Sequence, residues 1–99
     1  MMFDGKALDD FIRQRKEHER KNDQLFTELE ESLSIAELKH PVFATSFQEG
    51  LLRVLEEAGE CAQASNKGQG QAREDAEVMD LLVVVWRLAR GDWQEDGRA

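Results

Sequence analysis

Tyrosine is missing from this 99-residue chain, and proline, cysteine and histidine nearly are, with one Pro, one Cys and two His. Each shortage closes off a class of protein. Cys61 alone allows no internal disulfide, and Cys61, His18 and His40 lack the clustered spacing of a zinc site. Pro41 is the only proline, and no stretch alternates apolar and polar residues for long, so the sequence predicts an all-α fold. No run approaches the roughly 20 apolar residues of a membrane span, and Met1-Met2-Phe3-Asp4-Gly5-Lys6 lacks the continuous apolar segment of a signal peptide. The expectation is a soluble, cytoplasmic protein with no membrane partner. Positive charge is also short. With 13 Lys and Arg against 21 Asp and Glu, the net charge of -8 opposes nucleic-acid binding, and a phosphate ligand would need a metal.

What is present reads as helices in one small domain, residues 1–99, near the lower size limit for burying a core alone. Oligomerisation is therefore expected. A first helical segment spans about residues 6–33, with Leu8, Phe11 and Ile12 at one end and Leu25, Phe26, Leu29 and Leu33 at the other. Residues 13–24 between them are entirely polar. Arg13, Arg15, Lys16, Arg20 and Lys21 alternate with Glu17, Glu19 and Asp23, as on a salt-bridged solvent face. Ser34 is expected to cap a short turn that ends at His40-Pro41.

The second helix, 47–66, starts at the capping-box pattern Ser46-Phe47-Gln48-Glu49 and stops at Asn66-Lys67-Gly68-Gln69-Gly70. Its apolar stripe is Phe47, Leu51, Val54, Leu55, Ala58 and Ala62. The third helix spans 71–90 and ends at Gly91, with Leu81-Leu82-Val83-Val84-Val85-Trp86 apolar on every side. Such a segment is expected to be buried all round, with a subunit interface as the simplest cover. The polar tail, 92–99, is expected to fray.

Two acidic pairs stand out, Glu57-Ala58-Gly59-Glu60 and Glu77-Val78-Met79-Asp80, separated by sixteen residues. Residues three apart share a helix face, so two antiparallel helices can present four carboxylates to one hard divalent cation. For a single pair, chance placement on a solvated face is the better explanation in so charged a chain. Gly59 shifts the balance, because glycine inside a helix costs about 1 kcal/mol relative to alanine and permits close approach of another helix. Asp80 abuts the apolar run, where a carboxylate needs a partner. Against this, Glu60 lies nearly opposite the apolar stripe of its helix, so it faces inward only if that helix is covered on more than one side.

Leu55-Glu56-Glu57-Ala58-Gly59-Glu60 followed by Glu77-Val78-Met79-Asp80 resembles the E-E-x-x-E and E-x-x-D signature of MazG-like all-α nucleoside triphosphate pyrophosphohydrolases, over roughly residues 47–90. Asn66-Lys67-Gly68 with Leu88-Ala89-Arg90-Gly91 slightly resembles the phosphoribosyl-ATP enzymes of the same superfamily. The resemblance implies a helical bundle completed as a homodimer or homotetramer. It implies Mg²⁺, with Mn²⁺ as a substitute, held by Glu57, Glu60, Glu77 and Asp80 with Glu56 close by. It further implies a nucleotide substrate cleaved between the α and β phosphates to nucleoside monophosphate and pyrophosphate. Residues 1–45 carry no motif that aligns with it.

Physical chemistry adds roles. Clustered carboxylates repel until a cation or protons neutralise them, and a carboxylate that is not a ligand can orient the attacking water, a role for Glu56 or Glu57. Lys67 and Arg73 are the cations nearest in sequence to take up triphosphate charge, although surface Lys and Arg are commonly just solvated. Phe43 and Phe47 are candidates to line a base pocket, while Trp86 and Trp93 read as core or interface anchors. Cys61 has no histidine partner to activate it. The competing readings are a phosphoribosyl-ATP hydrolase and an inactive helical interaction protein whose acidic residues only confer solubility.

Overall fold

The computed structural model describes residues 4–94. It contains three helices, α1 (Gly5–Lys39), α2 (Phe47–Asn66) and α3 (Gln71–Arg90), and no strand among the described residues. Among the described residues, no helix is long and apolar enough to cross a membrane.

Helix α1 is longer than the sequence suggested. It opens at Asp4, whose carboxylate accepts a 2.7 Å hydrogen bond from the Ala7 amide, and closes at His40, whose amide bonds the Ala36 carbonyl. Ser34 does not cap a separate turn, because its hydroxyl donates to the Glu30 carbonyl within the continuous helix. Packing explains the extension. Leu29, Leu33 and Ala36 lie along one line of α1 and meet Val83, Met79 and Leu82 of α3, so the last turns are held by tertiary contact. The polar middle carries the expected local pairs, Arg13–Asp10, Arg15–Glu19 and Arg20–Glu17.

At the start of α2 the Ser46 hydroxyl accepts from the Glu49 amide, and Glu49 reaches back to the Thr45 hydroxyl at 2.6 Å. Gly68 and Gly70, both with positive φ, turn the chain into α3. Gly91, at φ 87°, ends α3 in the left-handed conformation, with the Asp92 amide bonded to the Arg87 carbonyl. Asp92 is then clasped by Arg87 and Arg90, and the Trp93 indole donates to the Leu88 carbonyl, so residues 92 and 93 are tied down. The rest of the expected frayed tail, 95–99, lies outside the described residues.

Helix α3 is the centre. Both α2 and the C-terminal part of α1 pack on it, while α1 and α2 do not pack on each other and leave a cleft floored by α3. Buried Arg87 ties the α1–α2 connection to α3 by donating to the carbonyls of His40 and Pro41 and lying 5.2 Å from the centre of the Phe43 ring. Gly50 lies against Leu88 and Phe43, a contact with no room for a side chain.

One expectation about burial is corrected. The inward face of α2 carries Gly50, Val54, Glu57, Cys61 and Ala64, while Leu51, Leu55, Ala58 and Ala62 of the expected core stripe are exposed. Within a single chain the run 81–86 is buried on one side only: Val83 is 5% exposed, while Val85 is 40% and Trp86 44% exposed.

Candidate metal centre

The inward turn of α2 has a chemical consequence. Glu57 sits on the face that packs against α3, Glu60 one turn on flanks that face, and Glu77 projects from the first half of α3 toward both. One carboxylate oxygen from each of Glu57, Glu60 and Glu77 lies within 4.8 Å of the others. Glu60 itself is exposed, so no second cover on α2 is needed for its side chain to reach the group. Glu77 is only 2% exposed. Its outer partner is Arg73, one turn earlier and mostly exposed, which binds Oε1. Oε2 of Glu77 and Oε2 of Glu57 are both buried and make no hydrogen bond. Two buried, unpartnered carboxylate oxygens are costly features, and their cost falls if a cation or proton lies between them.

The electrostatics agree with the geometry. Burial, then the charges of Glu60 and Asp80, push the Glu57 carboxyl up to about 7, with further contributions from a hydrogen bond to Glu60 and the charge of Glu77. Burial and Glu77 raise Asp80, against opposing pulls from Arg73 and Lys39. Cys61, one turn from Glu57, is pushed up by burial and by the same carboxylates, so it is held as a thiol and is a poor nucleophile.

The carboxylates border two hollows. On one side Glu57 and Asp80 border a cavity of about 390 Å³ walled by Ile35, Ala36 and Lys39 of α1, by His40 at its C-cap and by Val83 and Val84 of α3. That volume is in the range of small-molecule sites. On the other side Glu60 and Glu77 border a smaller hollow with Lys67 and Arg73. Asp80 thus adjoins Glu57 across the larger cavity and is not one of the three converging groups. Glu56 is exposed and not among those groups.

Some candidates have other work. Phe43 is 3% exposed beneath Arg87 and belongs to the core; Phe47 meets Trp93 edge-to-face at 5.7 Å, away from the carboxylates. Lys39 and His40 were missed by sequence reasoning. They reach the site only because α1 extends past Ser34 onto α3, and nothing in the local sequence marks that. Comparison of the chain with family models, curated proteins and solved structures returns no match.

Proposed function

We propose that this chain is a magnesium-dependent nucleoside triphosphate pyrophosphohydrolase working as a homodimer or homotetramer. The observation that carries the reading is the convergence of Glu57, Glu60 and Glu77 with two buried oxygens lacking a hydrogen bond. All the donors are hard carboxylate oxygens, which suit Mg²⁺ or Mn²⁺ and poorly suit softer ions. Glu57, Glu60 and Glu77 would hold the cation, with Asp80 completing the acidic wall. Bound there, the cation would supply Lewis-acid polarisation of phosphate and lower the pKa of its water.

The remaining roles belong to the chain's own residues. Lys67 and Arg73 neutralise phosphate oxygens in the smaller hollow, and Arg73 can exchange Glu77 for phosphate because it is exposed. The nucleoside occupies the larger cavity against Ile35, Val83 and Val84. Glu57, which also borders the larger cavity, would orient the attacking water and take its proton. Water attacks the α phosphorus, the α–β bridging P–O bond breaks, and pyrophosphate leaves with the bridging oxygen. Glu56 has no comparable position beside the cluster.

The test is a panel of ribo- and deoxyribonucleoside triphosphates with Mg²⁺ or Mn²⁺, read separately as pyrophosphate and orthophosphate. Pyrophosphate with monophosphate, lost in Glu57→Gln and Glu77→Gln, is the expected result. Activity on phosphoribosyl-ATP alone would replace the broad reading with the narrower one. No turnover by a folded chain, with no thermal response to either metal, would leave the inactive interaction protein.

A further inference from the structure

Among the described residues, the first two-thirds of α1 has nothing of its own chain to rest on. No residue from 5 to 28 is buried, and the first buried residue of the helix is Leu29. Phe11 lies eighteen residues before Leu29, about 27 Å along the axis at 1.5 Å per residue. The segment is an arm, and the 54 Å long dimension of the molecule and its radius of gyration of 18.1 Å reflect it. A compact chain of this length has a radius near 13 Å.

The arm is nevertheless built to pack. Leu8 and Phe26 are separated by five whole helical turns and so point the same way, with Phe11 and Ile12 beside them. That direction continues the line of Leu29 and Leu33, the residues that pack on α3. Leu8 is 47%, Phe11 61% and Phe26 52% exposed. A second bare surface exists on α2, where Leu51, Leu52 and Leu55 face away from α3 and Gly59 has open space around it. The arm, about 36 Å long, matches the roughly 30 Å of α2.

Charge and area name the occupant. Helix α2 carries four Glu against one Arg, whereas the arm, residues 5–28, is balanced at six Lys and Arg against six Asp and Glu. Packing two α2 faces together would oppose like charges and leave both arms bare; laying each charge-balanced arm on the other's α2 avoids that opposition and covers both surfaces. The chain exposes 7704 Å². A compact monomer of its 11.3 kDa exposes about 5,700 Å². The excess, about 2,000 Å² per chain, amounts for two chains to the area of an obligate homodimer interface.

We propose that two copies of this chain exchange arms, residues 5–28 of each lying along the outward α2 face of the other. The contact is isologous and closes as a two-fold dimer. It is independent of the metal-centre reading. Sedimentation velocity of the full chain is expected to give twice the 11.3 kDa mass. Leu8→Glu with Phe11→Glu, both in the exposed arm, is expected to halve that mass while circular dichroism keeps its helical signal. To locate the arm, a spin label at Gln14→Cys in a Cys61→Ser background is mixed with ¹⁵N-labelled chain. Loss of amide intensity is expected in the labelled copy at Leu51, Leu52 and Leu55. A wild-type chain at single mass, a charge-substituted arm that stays dimeric, or α2 amides unaffected by the label would each overturn the proposal.

Discussion

Divalent cations should stabilise this protein more strongly in mild alkali than in mild acid, and Glu57 sets the difference. Its carboxyl titrates at about 7 in the folded chain against an ordinary 4.5. Below the lower value it is protonated whether folded or not. Between the two values the folded state keeps a proton that the unfolded chain has released, so this group's contribution to stability falls as pH rises and is fully lost above about 7. The causes are burial first and then repulsion: two full charges within 4.8 Å repel by about 1 kcal/mol or more in water and about 3.5 kcal/mol or more at an effective dielectric of 20. A bound cation cancels that repulsion but must displace the Glu57 proton wherever one is present. Its apparent affinity should therefore weaken up to tenfold per pH unit below about 7, about 1.4 kcal/mol. For a chain of this size that is about 6–10 °C in the Tm gained from saturating metal. The assay is scanning calorimetry with and without MgCl₂ or MnCl₂, at matched ionic strength, at about pH 6 and about pH 8. Equal Tm gains at the two pH values, or none at either, would refute the reasoning.

Glu77→Gln should abolish the cation response and raise the Tm of the metal-free protein, because it removes a buried charge with one unpartnered oxygen, and the relieved repulsion from Glu57 and Glu60 outweighs the loss of a pair to the mostly exposed Arg73; a drop in metal-free Tm would contradict this. Arg87→Ala removes the tie from α3 to the carbonyls of His40 and Pro41 and to Asp92, and should cost about 2–3 kcal/mol in urea denaturation. Gly50→Ala would bring a Cβ to 2.8 Å from Leu88 Cδ1 and 2.9 Å from the Phe43 ring. Its overpacking cost of about 1–3 kcal/mol should outweigh the roughly 1 kcal/mol gain in helix propensity, and a higher Tm would show that the Phe43 ring yields.

The ends of α2 and α3 were legible because local chemistry marks them. A serine hydroxyl satisfies a first-turn amide at Ser46, and glycines at 68, 70 and 91 adopt positive φ that other residues resist. The end of α1 was not legible, since Ser34 is acceptable either as a cap or inside a helix, and only Val83 and Met79 decide between them. The acidic pairs were visible as spacing. Which carboxylates converge was not: Glu60 looked misdirected from its wheel position, and Asp80 looked equivalent to the other three.

By itself the sequence determined an all-helical chain, too acidic and too free of long apolar runs for membrane spans, with two carboxylate pairs at helical spacing. These follow from periodicity, caps and charge, which act over a few residues. The tertiary structure alone decided which face of α2 turns inward, and with it the burial of Glu77, the raised Glu57 carboxyl and the cavity shared with Lys39 and His40. Helix α2 has apolar residues on both sides, so its own pattern permits either orientation, and only its fit against α3, closest where Gly50 meets Leu88 and Phe43, selects one.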